Sequence, residues 1–199
     1  SINDLDREVF GPVLHVATFK SEDLDEVINT INARGYGLTF GLHTRIDSRV
    51  QKVSEHIHVG NIYVNRNQIG AVVGTQPFGG EGLSGTGPKA GGPNYLRRFL
   101  NRPAKHSEET WQYPCDLDAL RKSLSQQLDQ KQIRLDEMPG PTGETNHLRS
   151  IQKGPILCLG PGEKTTQEQV ERIVELGGIA IGINGFLKPK ELITLDHIS

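Results

Sequence analysis

The run LTFGLHTRIDSRVQKVSEHIHVGNIYVN, residues 38–65, decides the fold class. Its two ends are short apolar segments, Leu38–Thr44 and Asn61–Asn65, rich in the β-branched and aromatic residues that suit a pleated strand. Between them Val50, Val53 and Ile57 recur at helical spacing, Asp47 or Ser48 is placed to cap a helix, and Gly60 is placed to end it. The same alternation extends toward the N-terminus. Leu24, Val27, Ile28 and Ile31 form one apolar stripe over a helix from Asp23 to Ala33, Gly35 stops it, and Pro12–Phe19 reads as an earlier strand with Pro12 where a missing N–H costs least. Strand, helix, strand, helix, strand predicts βαβ crossovers and a mainly parallel sheet, an α/β fold.

Beyond this core the character changes twice. A polar, glycine-rich stretch from Gln68 to Pro93 is too long for a plain connection and reads as a functional loop. Tyr95–Leu100 is a last short apolar segment. Residues 106–152 read as a linker in which Leu117, Leu120, Leu124 and Leu128 mark one amphipathic helix. Residues 153–199 return to an α/β pattern. A strand at Ile156–Leu159 is followed by a helix carrying Val170, Ile173 and Val174, with Thr165 and Glu168 spaced for a capping box, and Gly177-Gly178 leads into a strand at Ile179–Ile183. Two strands bury little, so this sheet is expected to continue past Ser199.

Composition narrows the function classes. The formal net charge is -2 and no block of basic residues occurs, so the chain has no electrostatic footprint for nucleic acid. No apolar run approaches the ~20 residues that span a bilayer. Cys115 and Cys158 fit neither a metal spacing nor a disulfide framework, and the close pair His56 and His58, though beside Glu55, has no cysteine near it and does not read as a metal cage. The expected setting is the cytoplasm, with a peripheral place at the inner membrane face left open for the intact protein.

Three motifs carry the chemistry. In Glu8-Val9-Phe10-Gly11-Pro12 a carboxylate able to accept from both hydroxyls of a ribose stands two residues before an aromatic ring able to lie on a flat heterocycle. A solvated glutamate and a core phenylalanine would give the same pentapeptide. Taken with Asn61–Asn65 and Gln76-Pro77-Phe78-Gly79-Gly80-Glu81-Gly82-Leu83-Ser84-Gly85, in that order, it resembles the last third of the catalytic domain of the aldehyde dehydrogenase superfamily. The resemblance implies that Glu8 binds the nicotinamide ribose of NAD and that Phe10 contacts the nicotinamide. Gly70-Ala71-Val72-Val73-Gly74-Thr75-Gln76-Pro77-Phe78 is similar to the aldehyde-anchoring loop of the glutamate-semialdehyde dehydrogenases within that superfamily. By that likeness Gly70 and Ala71 offer backbone N–H groups to the substrate α-carboxylate, and Phe78 packs on its aliphatic part. A small residue at such a turn permits close approach, and free N–H groups make an anion nest.

The segments Gly82–Leu96 and Pro139-Gly140-Pro141-Thr142-Gly143-Glu144 resemble those of the bifunctional proline-catabolic enzymes of PutA type. That likeness implies a three-layer parallel-sheet catalytic portion over residues 1–105, the linker, and the start of a truncated Rossmann-like region at 153–199. It also implies the rest of a longer polypeptide with an FAD-dependent proline dehydrogenase, L-glutamate γ-semialdehyde as substrate, and a homo-oligomer. A monofunctional dehydrogenase fragment, and a non-catalytic module that covers a tunnel, stay open as alternatives.

Two glycine-rich stretches are not nucleotide loops. Lys89 lacks the G-x-x-x-x-G-K-[ST] context and reads as a solvated or loop-bracing charge. Gly160-Pro161-Gly162-Glu163-Lys164-Thr165 has Thr165 where a third glycine belongs and Glu163 where a phosphate would sit. Neither cysteine has the setting of a dehydrogenase nucleophile, which by the resemblance lies upstream. The chain is therefore expected to be an excised fragment without activity of its own.

Overall fold

The computed structural model describes residues 2–5, 7, 9–100, 107–125 and 132–195. It divides into two compact units. One comprises Ser1–Leu100 with Pro139–Asn146, and the other comprises Asn101–Met138 with His147–Ser199.

The first unit is built around α1 (Leu24–Ala33), β1 (Tyr36–Gly37), β2 (Thr39–Leu42), α2 (Asp47–His56), β3 (Asn61–Val64) and β4 (Glu81–Gly82). β2 and β3 pair in parallel from Thr39 opposite Asn61 to Leu42 opposite Val64, as the alternation of elements requires. Ile28 of α1, Val53 of α2, Ile57 and Val59 form the buried cluster, with Phe40, Leu42 and Ile62 of the strands packed against it. Helices and sheet thus bury one shared apolar layer, the main source of stability in such a unit.

Three local expectations are corrected. Pro12–Phe19 pairs with no strand among the described residues, and Leu14 and Val16 stay more than four-fifths exposed. A strand needs hydrogen-bonding neighbours, and here none is supplied. α2 is not capped by Asp47 or Ser48: Ile46 holds the cap position and Asp47 is already helical. The long loop is also not structureless, since β4 pairs antiparallel with β1 and Phe78 bridges Ala90. Tyr95–Phe99 forms a 3-10 turn.

The second unit carries α3 (Leu117–Leu124), β5 (Gln132–Met138), β6 (Asn146–Ile151), β7 (Ile156–Cys158), α4 (Glu163–Glu175), β8 (Ala180–Gly182) and α5 (Pro189–Leu192). Asp116 caps α3 through Asp118 and Ala119 N–H, and Leu120 and Leu124 are buried with Ile183 and Leu195. Leu128 lies outside the described residues. The segment read as a linker with one helix holds, in addition, β5 and β6, which pair with one another. β7 and β8 pair in parallel on either side of α4.

α4 starts at Glu163 behind Gly162, so Thr165 and Glu168 do not form its capping box. Its first turn is capped instead by Glu109, whose Oε2 accepts from the Thr165 N–H at 3.1 Å and the Thr165 hydroxyl at 3.2 Å. Gly177, at φ +80°, ends the helix as expected. Trp111 donates from Nε1 to Gly160 O at 2.8 Å and meets Tyr113 edge-on, so the aromatic pair is packing.

Candidate functional site

The Gln76–Gly80 motif is pinned to the start of β3 from both sides. Asn61 donates from Nδ2 to Pro77 O at 3.0 Å, and its Oδ1 accepts from Gly79 N–H at 3.2 Å. Phe78 exchanges two backbone hydrogen bonds with Ala90, at 3.0 and 2.8 Å. Lys89, next in line, turns its ammonium inward and donates to Gly60 O at 2.5 Å, Gly79 O at 2.6 Å and Asn61 Oδ1 at 3.2 Å. It is the loop-bracing charge, not a phosphate ligand. Burial pushes its pKa below the usual lysine value, with the nearby Glu81 carboxylate pulling the other way. The glycines are spatial requirements here. A Cβ on Gly60 would stand 1.8 Å from Gly79 O, and one on Gly80 would stand 2.5 Å from Ser84 O.

Upstream of the pinned motif, the loop rises from β3 through Asn65 and Arg66 to Gly70 and Ala71. Asn65 takes a left-handed φ of 56°, which its side chain stabilises by accepting from Thr44 N–H at 3.0 Å. Gly70 has φ +71°, and a Cβ there would meet nothing within 4 Å, so its backbone faces open space. Among the described residues, neither the Gly70 nor the Ala71 N–H has an acceptor. Two successive N–H groups left unclaimed at a left-handed glycine are free to meet an anion.

The expected site residues are therefore placed unevenly. Gly70, Ala71 and Phe78 share one loop, and Phe78 is partly buried at its pinned end. Phe10 follows no core: it is 87% exposed beside Gly11 at φ +122°, a face available to a flat heterocycle such as a nicotinamide. No ring contact or hydrogen bond joins Phe10 to the loop among the described residues. Glu8 lies outside the described residues.

Four residues that the sequence reading did not single out complete the site. Gln76 is buried, accepts from Val72 N–H through Oε1 at 3.1 Å, and donates from Nε2 to Glu144 Oε1 at 3.1 Å and Asn146 Oδ1 at 3.3 Å. Arg66 pairs with Glu144 at 3.2 Å and lies 5.3 Å from the Tyr63 ring centroid. Glu144 ends the Pro-Gly-Pro-Thr-Gly run, which stood out in the sequence only by its resemblance. Its docking on the first unit was not legible.

Cys158 is buried and burial raises its thiol pKa, the opposite of what a nucleophile needs. Cys115 donates its thiol to Asn184 Oδ1 at 3.1 Å. His56 Nδ1 is engaged by Lys52 O at 2.7 Å. Among the described residues, no group of three or more His, Cys, Asp or Glu could hold a metal ion, and no helix is long and apolar enough to cross a membrane.

Residues 3–104, half of the chain, match the aldehyde dehydrogenase family. The chain belongs to the aldehyde dehydrogenase family. This family assignment carries the α/β fold with it.

The chain is 43% identical over 205 residues to the bifunctional protein PutA of Salmonella typhimurium, a match that takes in 89% of this chain and 16% of that protein. It is 45% identical over 107 residues to the 1-pyrroline-5-carboxylate dehydrogenase of Bacillus subtilis, covering 54% of this chain and 20% of that one. A crystal structure of Bradyrhizobium japonicum proline utilization A aligns with 60% identity and a TM-score of 0.49, over 50% of this chain and 10% of that one. The chain thus spans about a sixth of the length of the PutA relatives it matches.

Proposed function

We propose that this aldehyde dehydrogenase family chain supplies the aldehyde anchor, and the nicotinamide-side contact, of an NAD-dependent L-glutamate γ-semialdehyde dehydrogenase within a bifunctional proline-catabolic protein. The observation that carries the reading is the left-handed Gly70 and the unclaimed N–H groups of Gly70 and Ala71, set on a loop fixed at its far end by Asn61 and Lys89. Such a nest binds a carboxylate without a cation, and this suits a substrate that carries a free amino-acid end. Phe78, partly buried further along the same loop, would offer an apolar wall for the methylenes between that end and the aldehyde. The names of the relatives, one bifunctional and one a 1-pyrroline-5-carboxylate dehydrogenase, support the same substrate class.

Phe10, exposed on its turn, would hold the nicotinamide side of NAD, with Glu8 on the ribose. NAD when bound accepts the hydride, and this chain's part is to orient it. FAD would belong to the proline dehydrogenase elsewhere in the protein. Neither Cys115 nor Cys158 has the setting of a nucleophile, so these 199 residues alone would not turn over.

Residues 1–105 would be the end of a three-layer catalytic domain, residues 106–152 a connection, and residues 153–199 the start of a Rossmann-like region, in a protein that forms a homo-oligomer. For that last region a scaffold role is favoured by one observation: the N-terminal end of α4, where a nucleotide phosphate would bind, is filled by Glu109.

The test is Ala71→Leu in the intact enzyme. The KM for glutamate semialdehyde should rise, while that for a neutral aldehyde of the same length stays. An equal effect on both aldehydes removes the carboxylate anchor.

A further inference from the structure

We infer that Glu144 is a positioning residue for the aldehyde anchor, its carboxylate tying together the two ends of the loop that presents Gly70 and Ala71. The inference rests on the reading of that loop given above.

The two carboxylate oxygens are divided between the ends. Oε2 pairs with Arg66 Nη1 at 3.2 Å, where the loop leaves β3, and Oε1 accepts from Gln76 Nε2 at 3.1 Å, where the loop returns to its pinned motif. Glu144 and Arg66 are both partly buried, at 29% side-chain exposure, so solvent screens their attraction less than at an open surface. Arg66 is also held from beneath by the ring of Tyr63.

Gln76 passes the constraint on. Its Oε1 accepts from Val72 N–H at 3.1 Å, and Val72 O accepts in turn from Gln76 N–H at 2.9 Å. Val72 is the residue after Ala71, so the direction of the nest's N–H groups is set by a buried amide whose own orientation depends on its acceptors. Asn146 completes the hold. Its Oδ1 accepts from Gln76 Nε2 at 3.3 Å, and its Nδ2 donates to Glu144 Oε1 at 3.0 Å and Pro139 O at 3.2 Å. With Oε1 donated to and Nε2 taken up, Gln76 has one orientation that satisfies its partners.

Glu144 lies beyond residues 3–104, the part that matches the aldehyde dehydrogenase family. The clamp is therefore an addition from outside the family domain to a loop inside it. It also has two separable halves. Arg66 needs a charge, whereas Gln76 needs only an acceptor. Glu144→Gln releases the first and can keep the second; Glu144→Ala releases both.

The experiment uses the intact enzyme and follows NAD reduction with glutamate semialdehyde and with pentanal, which has no carboxylate. Glu144→Ala should raise the KM for the semialdehyde by roughly five- to a hundredfold, the cost of breaking a charge-assisted pair and of leaving the buried Gln76 amide with Asn146 Oδ1 as its remaining acceptor. Glu144→Gln, nearly isosteric and so able to fold where the alanine variant fails, should raise it less. The kcat/KM for pentanal should not move in either.

Equal loss with both aldehydes, or a lowered Tm with the preference intact, overturns the clamp and leaves Glu144 a structural contact. Ala71→Leu run alongside separates the two readings. If it shifts the preference and the Glu144 variants do not, the clamp alone falls. If it shifts nothing, the anchor itself falls.

Discussion

Lys89→Met tests whether the site is braced by one partly buried cation. The ammonium serves two carbonyls, Gly60 O and Gly79 O, that accept from no other donor among the described residues, and a third acceptor, Asn61 Oδ1, that keeps the Gly79 N–H. Each hydrogen bond to a charged donor is worth about 1.5–3 kcal/mol, so the two sole-donor bonds dominate. Methionine retains the apolar stem, and water reaches part of the vacated space because the side chain is only partly buried. A local loss of about 2–4 kcal/mol follows. The loop is closed by the Phe78–Ala90 bridge, so the readout is hydrogen exchange at those two amides in the 199-residue chain. With a tenfold change for every 1.4 kcal/mol, exchange there should accelerate by roughly thirty- to a thousandfold, while amides of α1 stay as protected as before. An unchanged rate at Phe78 and Ala90 would refute the bracing role. The pH dependence has a definite sign. Burial lowers the Lys89 pKa beneath 10.5, so just below 10.5 the folded chain binds fewer protons than the unfolded one, and this group's contribution to stability increases as pH rises through that window. Lys89→Met should lack that increase, which urea titrations across the alkaline range would reveal.

Gly60→Ala puts a methyl 1.8 Å from Gly79 O and forces backbone apart, so the thermal midpoint should fall by at least about 4 °C; an unshifted midpoint would show that the β3 start and the motif are not in contact. Glu109→Ala removes the acceptor at the α4 N-terminus and should cost about 1 kcal/mol, seen as faster exchange at the Thr165 amide but not at Ile173. The purified chain, supplied with NAD and glutamate semialdehyde, should produce no NADH; turnover would mean that a nucleophile has been overlooked.

What the sequence revealed follows contact range. α1, α2, β2 and β3 were readable because their apolar periodicity is local and each finds its partner within a few dozen residues. Pro12–Phe19 has the composition of a strand but no neighbour among the described residues, and composition cannot supply one. β5 and β6 did carry a signal. Ile133 and Leu135 alternate with polar residues before a Pro-Gly and Thr-Gly turn, but the high charge of Arg134, Asp136 and Glu137 reads equally well as a linker. At the site, Gly70, Ala71 and Phe78 stood out as a motif, whereas Glu144 did not, because its partner Arg66 is 78 positions away and no local pattern links them. The cap of α4 failed for the same reason: Thr165 and Glu168 satisfied a local rule, and Glu109, 56 positions upstream, reached the helix end first.

The extended segment at Pro12–Phe19 has a practical side. Leu14 at 85% and Val16 at 81% exposure lie on a segment of strand-like composition that pairs with no strand among the described residues and that a second copy can approach edge-on. Concentrated solutions of the isolated polypeptide should therefore form intermolecular sheet and precipitate, and a lysine placed at Leu14 or Val16 would be the simplest way to keep it dispersed.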